Sequence, residues 1–92
     1  MRLRVQVRQL FKILDDNLYL KEENVKLTTD QFMLVIEIGR FYISMYVGKC
    51  EPGQITVPIK KVRDFLNELG EDEIIACIDI AQDGTCKLIS SF

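Results

Sequence analysis

Ninety-two residues, twelve of them basic and fourteen acidic, carry a net charge of −2 with no histidine, and a chain of that length makes one domain, 1–92, with no room for a second. The charge balance argues against general nucleic-acid affinity, which shows as a basic excess, and no apolar run approaches the roughly 18 residues of a membrane span. Hydrophobic residues make up 48% of the chain, although a domain this small buries only roughly 60–65% of its unfolded surface. Some of those residues are therefore expected at an interface. The opening Met1-Arg-Leu-Arg-Val-Gln-Val-Arg alternates charge with hydrophobe where a signal peptide would be continuously apolar, so the expected location is cytoplasmic, with no membrane partner.

In chain order, residues 2–8 place Leu3, Val5 and Val7 on one face and Arg2, Arg4, Gln6 and Arg8 on the other, the alternation of a half-buried strand. From about Arg8 to Asn17 the apolar positions become Leu10, Phe11, Ile13 and Leu14, one side of a helix at 100° per residue. Asp15 and Asp16 lie at its unfavourable end for negative charge, which keeps it short. Leu18 and Leu20, then Val25 and Leu27, flank Lys-Glu-Glu-Asn as two short strands about a polar turn.

Residues 32–38 and 41–47 are expected to pair as a hairpin about Gly39-Arg40, glycine standing first as a type II′ turn requires. That register sets Ile38 against Phe41, Ile36 against Ile43, Leu34 against Met45 and Phe32 against Val47. All eight are apolar and share one face, so the pairing reinforces itself. The other face carries Met33, Val35, Tyr42 and Tyr46, too apolar for plain solvent, and these four are the candidate interface. Ile55-Thr56-Val57 reads as a short strand, and Pro58 as the first residue of a helix whose apolar arc is Ile59, Val62, Phe65, Leu66 and Leu69, stopped by Gly70. Residues 73–80 and 85–91 close the chain as a hairpin about Asp83-Gly84, a type I′ signal. The order β-α-β-β-β-β-β-α-β-β, without sequence repeats, predicts an α+β fold with two helices on one face of a mostly antiparallel sheet.

Catalytic chemistry is not indicated. Without histidine the commonest general base is missing. Cys50, Cys77 and Cys86 form no CxxC pair, so no metal is expected. The acidic run Glu71, Asp72 and Glu73 reads as a solvated loop. The expectation is a binding protein that is not an enzyme and uses no cofactor or small-molecule substrate.

Three stretches, in order, carry a resemblance. They are Met1-Arg-Leu-Arg-Val-Gln-Val-Arg-Gln-Leu-Phe-Lys-Ile-Leu, then Leu18-Tyr-Leu-Lys-Glu-Glu-Asn-Val-Lys-Leu-Thr-Thr-Asp-Gln-Phe, and Glu51-Pro-Gly-Gln-Ile-Thr-Val-Pro-Ile-Lys-Lys-Val-Arg-Asp-Phe-Leu. Together they resemble the N-terminal domain of the bacterial DNA polymerase III β sliding clamp. The resemblance implies a DNA-clamp-like domain whose helices present Lys and Arg to DNA phosphates without reading sequence. It also implies DNA replication as the setting, and self-association, because clamp rings close with six domains where this chain has one. Arg8, Lys12, Lys60, Lys61 and Arg63 are the expected DNA contacts. Partners are then a second copy of the chain, duplex DNA or replication proteins. The alternative is a small phage or mobile-element protein that binds a protein partner, as an inhibitor or decoy subunit, without touching DNA.

Overall fold

A computed structural model describes residues 1–17, 23–70 and 75–91. The elements in order are β1 (Arg2–Gln6), α1 (Val7–Asp16), β2 (Asn24–Asp30), β3 (Met33–Ile38), β4 (Phe41–Tyr46), β5 (Gly53–Pro58), α2 (Ile59–Leu69), β6 (Ile75–Ile80) and β7 (Cys86–Ser91). The fold is α+β and every strand pairing among the described residues is antiparallel. The single expected sheet is instead two, ordered β1-β6-β7 and β4-β3-β2-β5. The division follows from β5, which pairs back onto β2, while β1 pairs with β6.

This exchange exposes an internal repeat that residue identity hides. The unit β1-α1-β2-β3 has the same order and pairing logic as β5-α2-β6-β7. Leu3, Val5, Val7, Leu10 and Leu14 of the first unit stand at the same spacing as Ile55, Val57, Ile59, Val62 and Leu66 of the second, and all ten are buried. Val5 and Leu14 keep their type in Val57 and Leu66, the other three pairs differ, and every position is aliphatic. Burial periodicity is the repeated quantity, and it sends both helices into one core.

The 33–46 hairpin adopts the expected register, with Ile38 opposite Phe41, Ile36 opposite Ile43 and Leu34 opposite Met45. Gly39 takes φ of 58°, the conformation a first turn position of this kind demands and glycine adopts without strain. Leu34, Ile36, Ile38, Met45 and Val47 are buried, whereas Phe41 and Ile43 on the edge strand are half-buried. Phe32 departs from expectation. It belongs to the Gln31-Phe32 turn joining β2 to β3 and is 45% exposed. Its carbonyl still accepts the Val47 N–H at 2.9 Å, so the register persists after the side chain has left the core.

Boundaries shift elsewhere for local reasons. β1 stops at Gln6 and Val7 opens α1, so Val7 is buried from a helix rather than a strand. Pro58 ends β5 with ψ of 129° and caps α2, whose first helical residue is Ile59. Asp83-Gly84 is not a two-residue turn: Ala81 N–H bonds to the Thr85 carbonyl at 2.8 Å, Gly84 N–H bonds to the Ala81 carbonyl at 2.9 Å, and φ is positive (91°) at Gly84 but not at Asp83. That is a wider loop with glycine in its left-handed position. The strand expected at Leu18–Leu20, the Lys21-Glu22 part of its turn and the acidic run at residues 71–73 lie outside the described residues.

Candidate functional site

The chemistry-bearing features of the surface are a helix face, two sheet edges and a cleft. On the helix face, α1 and α2 pack side by side, and a charged contact joins them. Arg63 donates from Nε and Nη2 to Oδ1 of Asp15 at 3.1 and 2.8 Å, and from Nη1 to Asp64 at 3.0 Å. These bonds, with Asp64 ahead of Asp15, raise its pKa further above the usual arginine value. The same guanidinium lies 5.4 Å from the centre of the Phe11 ring, which Arg8 also covers at 4.8 Å. Cation and ring attract because the ring face is electron-rich.

The five expected DNA contacts therefore divide. Arg63 is engaged by two carboxylates, and Lys61 donates to the Asp83 carbonyl at 2.9 Å. Lys12 and Lys60 are exposed and have no ion pair among the described residues. Arg8 is exposed above Phe11. Against these five stand Asp15, Asp16, Asp64 and Glu68 on the same two helices, which leaves a surplus of one positive charge.

Of the four interface candidates, Tyr42 and Tyr46 are 63% and 68% exposed, while Met33 and Val35 are half-buried beneath their cross-strand neighbours. Sequence reasoning missed Phe32, whose ring stacks on Tyr46 at 6.5 Å between centroids and 12° between planes. The hydrogen-bond phase of the sheet adds a second feature. The Phe32–Val47 bond fixes which rungs point inward, so by alternation the N–H and C=O groups of Tyr42, Ser44 and Tyr46 face away from β3. Among the described residues no strand pairs with the outer edge of β4, so that edge is both aromatic and open to pairing.

The other sheet has a comparable edge at β7, where Leu88 and Ile89 are exposed. Leu88 lies opposite Ile78 of β6, as Ile36 lies opposite Leu27 of β2. Ile36 is fully buried because β4 adds Ile43 beside it. Among the described residues no strand follows β7 in its sheet, and Leu88 stays 39% exposed. Sequence alternation could not find this difference, since both residues are inward-facing aliphatics.

The remaining feature is a cleft of about 870 Å³ between β1 and the segment running from Lys49 through β5. The cysteines are unbridged. Burial, then the charge of Asp30, raises the pKa of Cys50. Burial raises that of Cys86 to about 11, with Asp79 and Asp83 adding to the shift. These environments disfavour thiolate, the nucleophilic form. No group of three or more potential metal ligands occurs among the described residues, and no described helix is long and apolar enough to cross a membrane. No family model matches the chain, and neither a curated protein nor a solved structure matches it at a significant level.

Proposed function

We propose that this protein is a non-catalytic assembly module of sliding-clamp type, whose copies join sheet edge to sheet edge and turn their helix pairs toward duplex DNA. The observation that carries the self-association is the unequal completion of the two sheets. β7 bears an inward-facing Leu88 without the flanking strand that β4 supplies to β3, and β4 itself presents an aromatic open edge. Pairing β4 of one copy with β7 of the next would cover Leu88 and satisfy the main-chain groups of both edges. Contact between different surfaces of identical chains is head-to-tail, which closes into a ring when the rotation permits. The DNA component rests on the adjacent helices, with Lys12 and Lys60 facing away from the core, and on the likeness of three sequence stretches to the clamp family.

Sedimentation equilibrium tests this reading. The wild-type chain is expected to associate at micromolar concentration, and Leu88→Glu or the Tyr42→Lys, Tyr46→Glu pair is expected to return it to monomer. A wild-type monomer at high micromolar concentration would remove self-assembly from the proposal. A second reading, binding of a protein partner without DNA, is favoured by the engagement of Arg63 and the small surplus of charge on the helices. It takes precedence if duplex DNA fails to bind at low salt.

A further inference from the structure

We infer that the joint between copies is a parallel strand pair, in which Cys86 and Leu88 on the β7 edge of one copy lie beside Ile43 and Met45 on the β4 edge of the next. This inference rests on the edge-to-edge assembly proposed above and adds its direction, its register and the side on which each copy carries its helices.

The main-chain phase of each edge comes first. Met1 donates to the Ile80 carbonyl and Ile80 N–H donates to the Met1 carbonyl, both at 2.8 Å. The N–H and C=O groups of Ile80 and Ile78 thus point to β1, and by alternation those of Asp79 point to β7. Asp79 lies opposite Lys87, and the bond from Ala81 N–H to the Thr85 carbonyl keeps the same phase two residues on. The main-chain groups of Cys86 and Leu88 therefore face the free edge, where no further strand pairs among the described residues. Their side chains share the inward face with their partners, the buried Ile80 and Ile78. On β4 the combination is reversed. Tyr42, Ser44 and Tyr46 turn their main-chain groups to the edge and their side chains to the outer face, while Ile43 and Met45 face inward.

That reversal selects the direction. In an antiparallel pair, residues that exchange hydrogen bonds lie directly opposite, with their side chains on one face. Leu88 would then meet Tyr42 or Ser44, and Lys87 would meet Ile43 or Met45, a charge against an aliphatic. The inward face of each copy would also continue into the outer face of the next, so successive helix pairs would alternate between sides. In a parallel pair a residue bonds instead to the two that flank its opposite. Leu88 bonds to Ser44 and Tyr46 and lies beside Met45, while Cys86 bonds to Tyr42 and Ser44 and lies beside Ile43. Lys87, exposed on the outer face, then meets the exposed Ser44 between the two tyrosines. Apolar side chains meet apolar ones and polar meets polar, the matching that stabilises adjacent strands, and every helix pair lies on the same side. The register shift between Cys77 and Ile78 interrupts the regular edge just past Leu88, so the joint ends there.

Disulfide trapping in a Cys50→Ser, Cys77→Ser background that keeps Cys86 tests the joint. Neighbouring strands lie about 4.8 Å apart, a Cα separation that a disulfide spans. At equilibrium in a glutathione redox buffer, Ile43→Cys should form an intermolecular disulfide to Cys86. Its yield should exceed that of Ser44→Cys or Tyr46→Cys by about tenfold or more, because pairing sets the local thiol concentration. Peptide mass spectrometry identifies the bonded pair. Should Ile43→Cys not fold by circular dichroism, Ser44→Cys with Lys87→Cys decides the same point once Cys86 is also replaced by serine, since both positions are exposed. Sedimentation equilibrium of the wild-type chain separates the joint from the assembly it rests on. A monomer at high micromolar concentration removes both together. Association with Cys86 trapped in the Ser44→Cys or Tyr46→Cys variant keeps the assembly and overturns the parallel direction. Association with no disulfide to Cys86 in any of these variants overturns β7 as the meeting edge.

Discussion

β3 and β7 occupy equivalent places in the two halves of the repeat, and their inward residues have different fates. Leu34 and Ile36 on β3 are fully buried, while Cys86 and Leu88 on β7 are half-buried and exposed respectively. The strands carry similar alternation and sit beside similar partners, β2 and β6. The difference is one additional strand, β4. Burial is thus a property of the neighbour as much as of the residue: an inward-pointing aliphatic at an open edge keeps part of its hydrophobic driving force for whatever pairs next.

The largest expected effect tests that contrast directly. Ile36→Ala should cost about 2–5 kcal/mol of folding stability, as removal of a fully enclosed aliphatic does. Leu88→Ala should cost about 1 kcal/mol or less at monomeric concentration, because its surface already contacts water. Urea unfolding measures both. Equal losses would mean that β7 is covered in solution, and a Leu88→Ala cost that grows with protein concentration would identify the cover as another copy.

What was legible in the sequence follows the same division. The 33–46 register could be read because apolar residues flank both sides of a glycine turn and every one-residue slip would expose them. The apolar faces of both helices could be read for a similar reason. The hairpin from β2 to β3 could not, because its turn is Gln31-Phe32, with Gln31 at φ of 52° and no glycine to announce it. Thr29 stabilises that region instead, donating from its hydroxyl to the Glu51 carbonyl at 2.7 Å, an interaction no local pattern contains. The partition into two sheets escaped for the same reason, since the choice of β5 for β2 and of β6 for β1 depends on which hydrophobic faces enclose one another. On the helices the cationic residues could be named, but the partners of Arg63 lie on both helices and emerge only on packing. The cleft beside β1 likewise requires knowing that β1 is an edge among the described residues.

The helix face permits a sharper comparison between free and engaged cations. Lys12→Glu with Lys60→Glu should weaken duplex binding by about tenfold or more and flatten its salt dependence, since each phosphate that is no longer neutralised takes about one unit from the slope. Arg63→Gln should change duplex affinity much less, because its guanidinium already serves Asp15 and Asp64. Titration of a labelled duplex over a range of salt concentrations separates the two. An effect at Arg63 as large as at the lysine pair would show that its ion pairs open on binding, and the helix face would then be more basic than its resting interactions allow.

The smallest effect in free energy gives the finest view of the β7 edge. Cys86 occupies the place that Leu34 holds in the other half, and burial, with Asp79 and Asp83 nearby, lifts its pKa to about 11 against the opposing influence of Lys61. The protonated thiol is the form the folded chain favours. Its stabilising contribution is complete below the pKa of an unfolded cysteine and declines as pH rises from there toward 11. At pH 8 the thiolate population should be about a hundredfold below that of an unperturbed cysteine, since each pKa unit is a factor of ten. In a Cys50→Ser, Cys77→Ser background, alkylation of Cys86 at low protein concentration should therefore be slow at pH 8 and accelerate about tenfold per pH unit toward 11. If β4 of another copy docks on β7, raising the protein concentration should slow the reaction further at every pH, because the outer side of Cys86 becomes enclosed. Labelling at the rate of an ordinary cysteine would mean that β7 opens from β6 in solution. A slow rate independent of concentration would keep the folded edge intact while removing it as the site where copies meet.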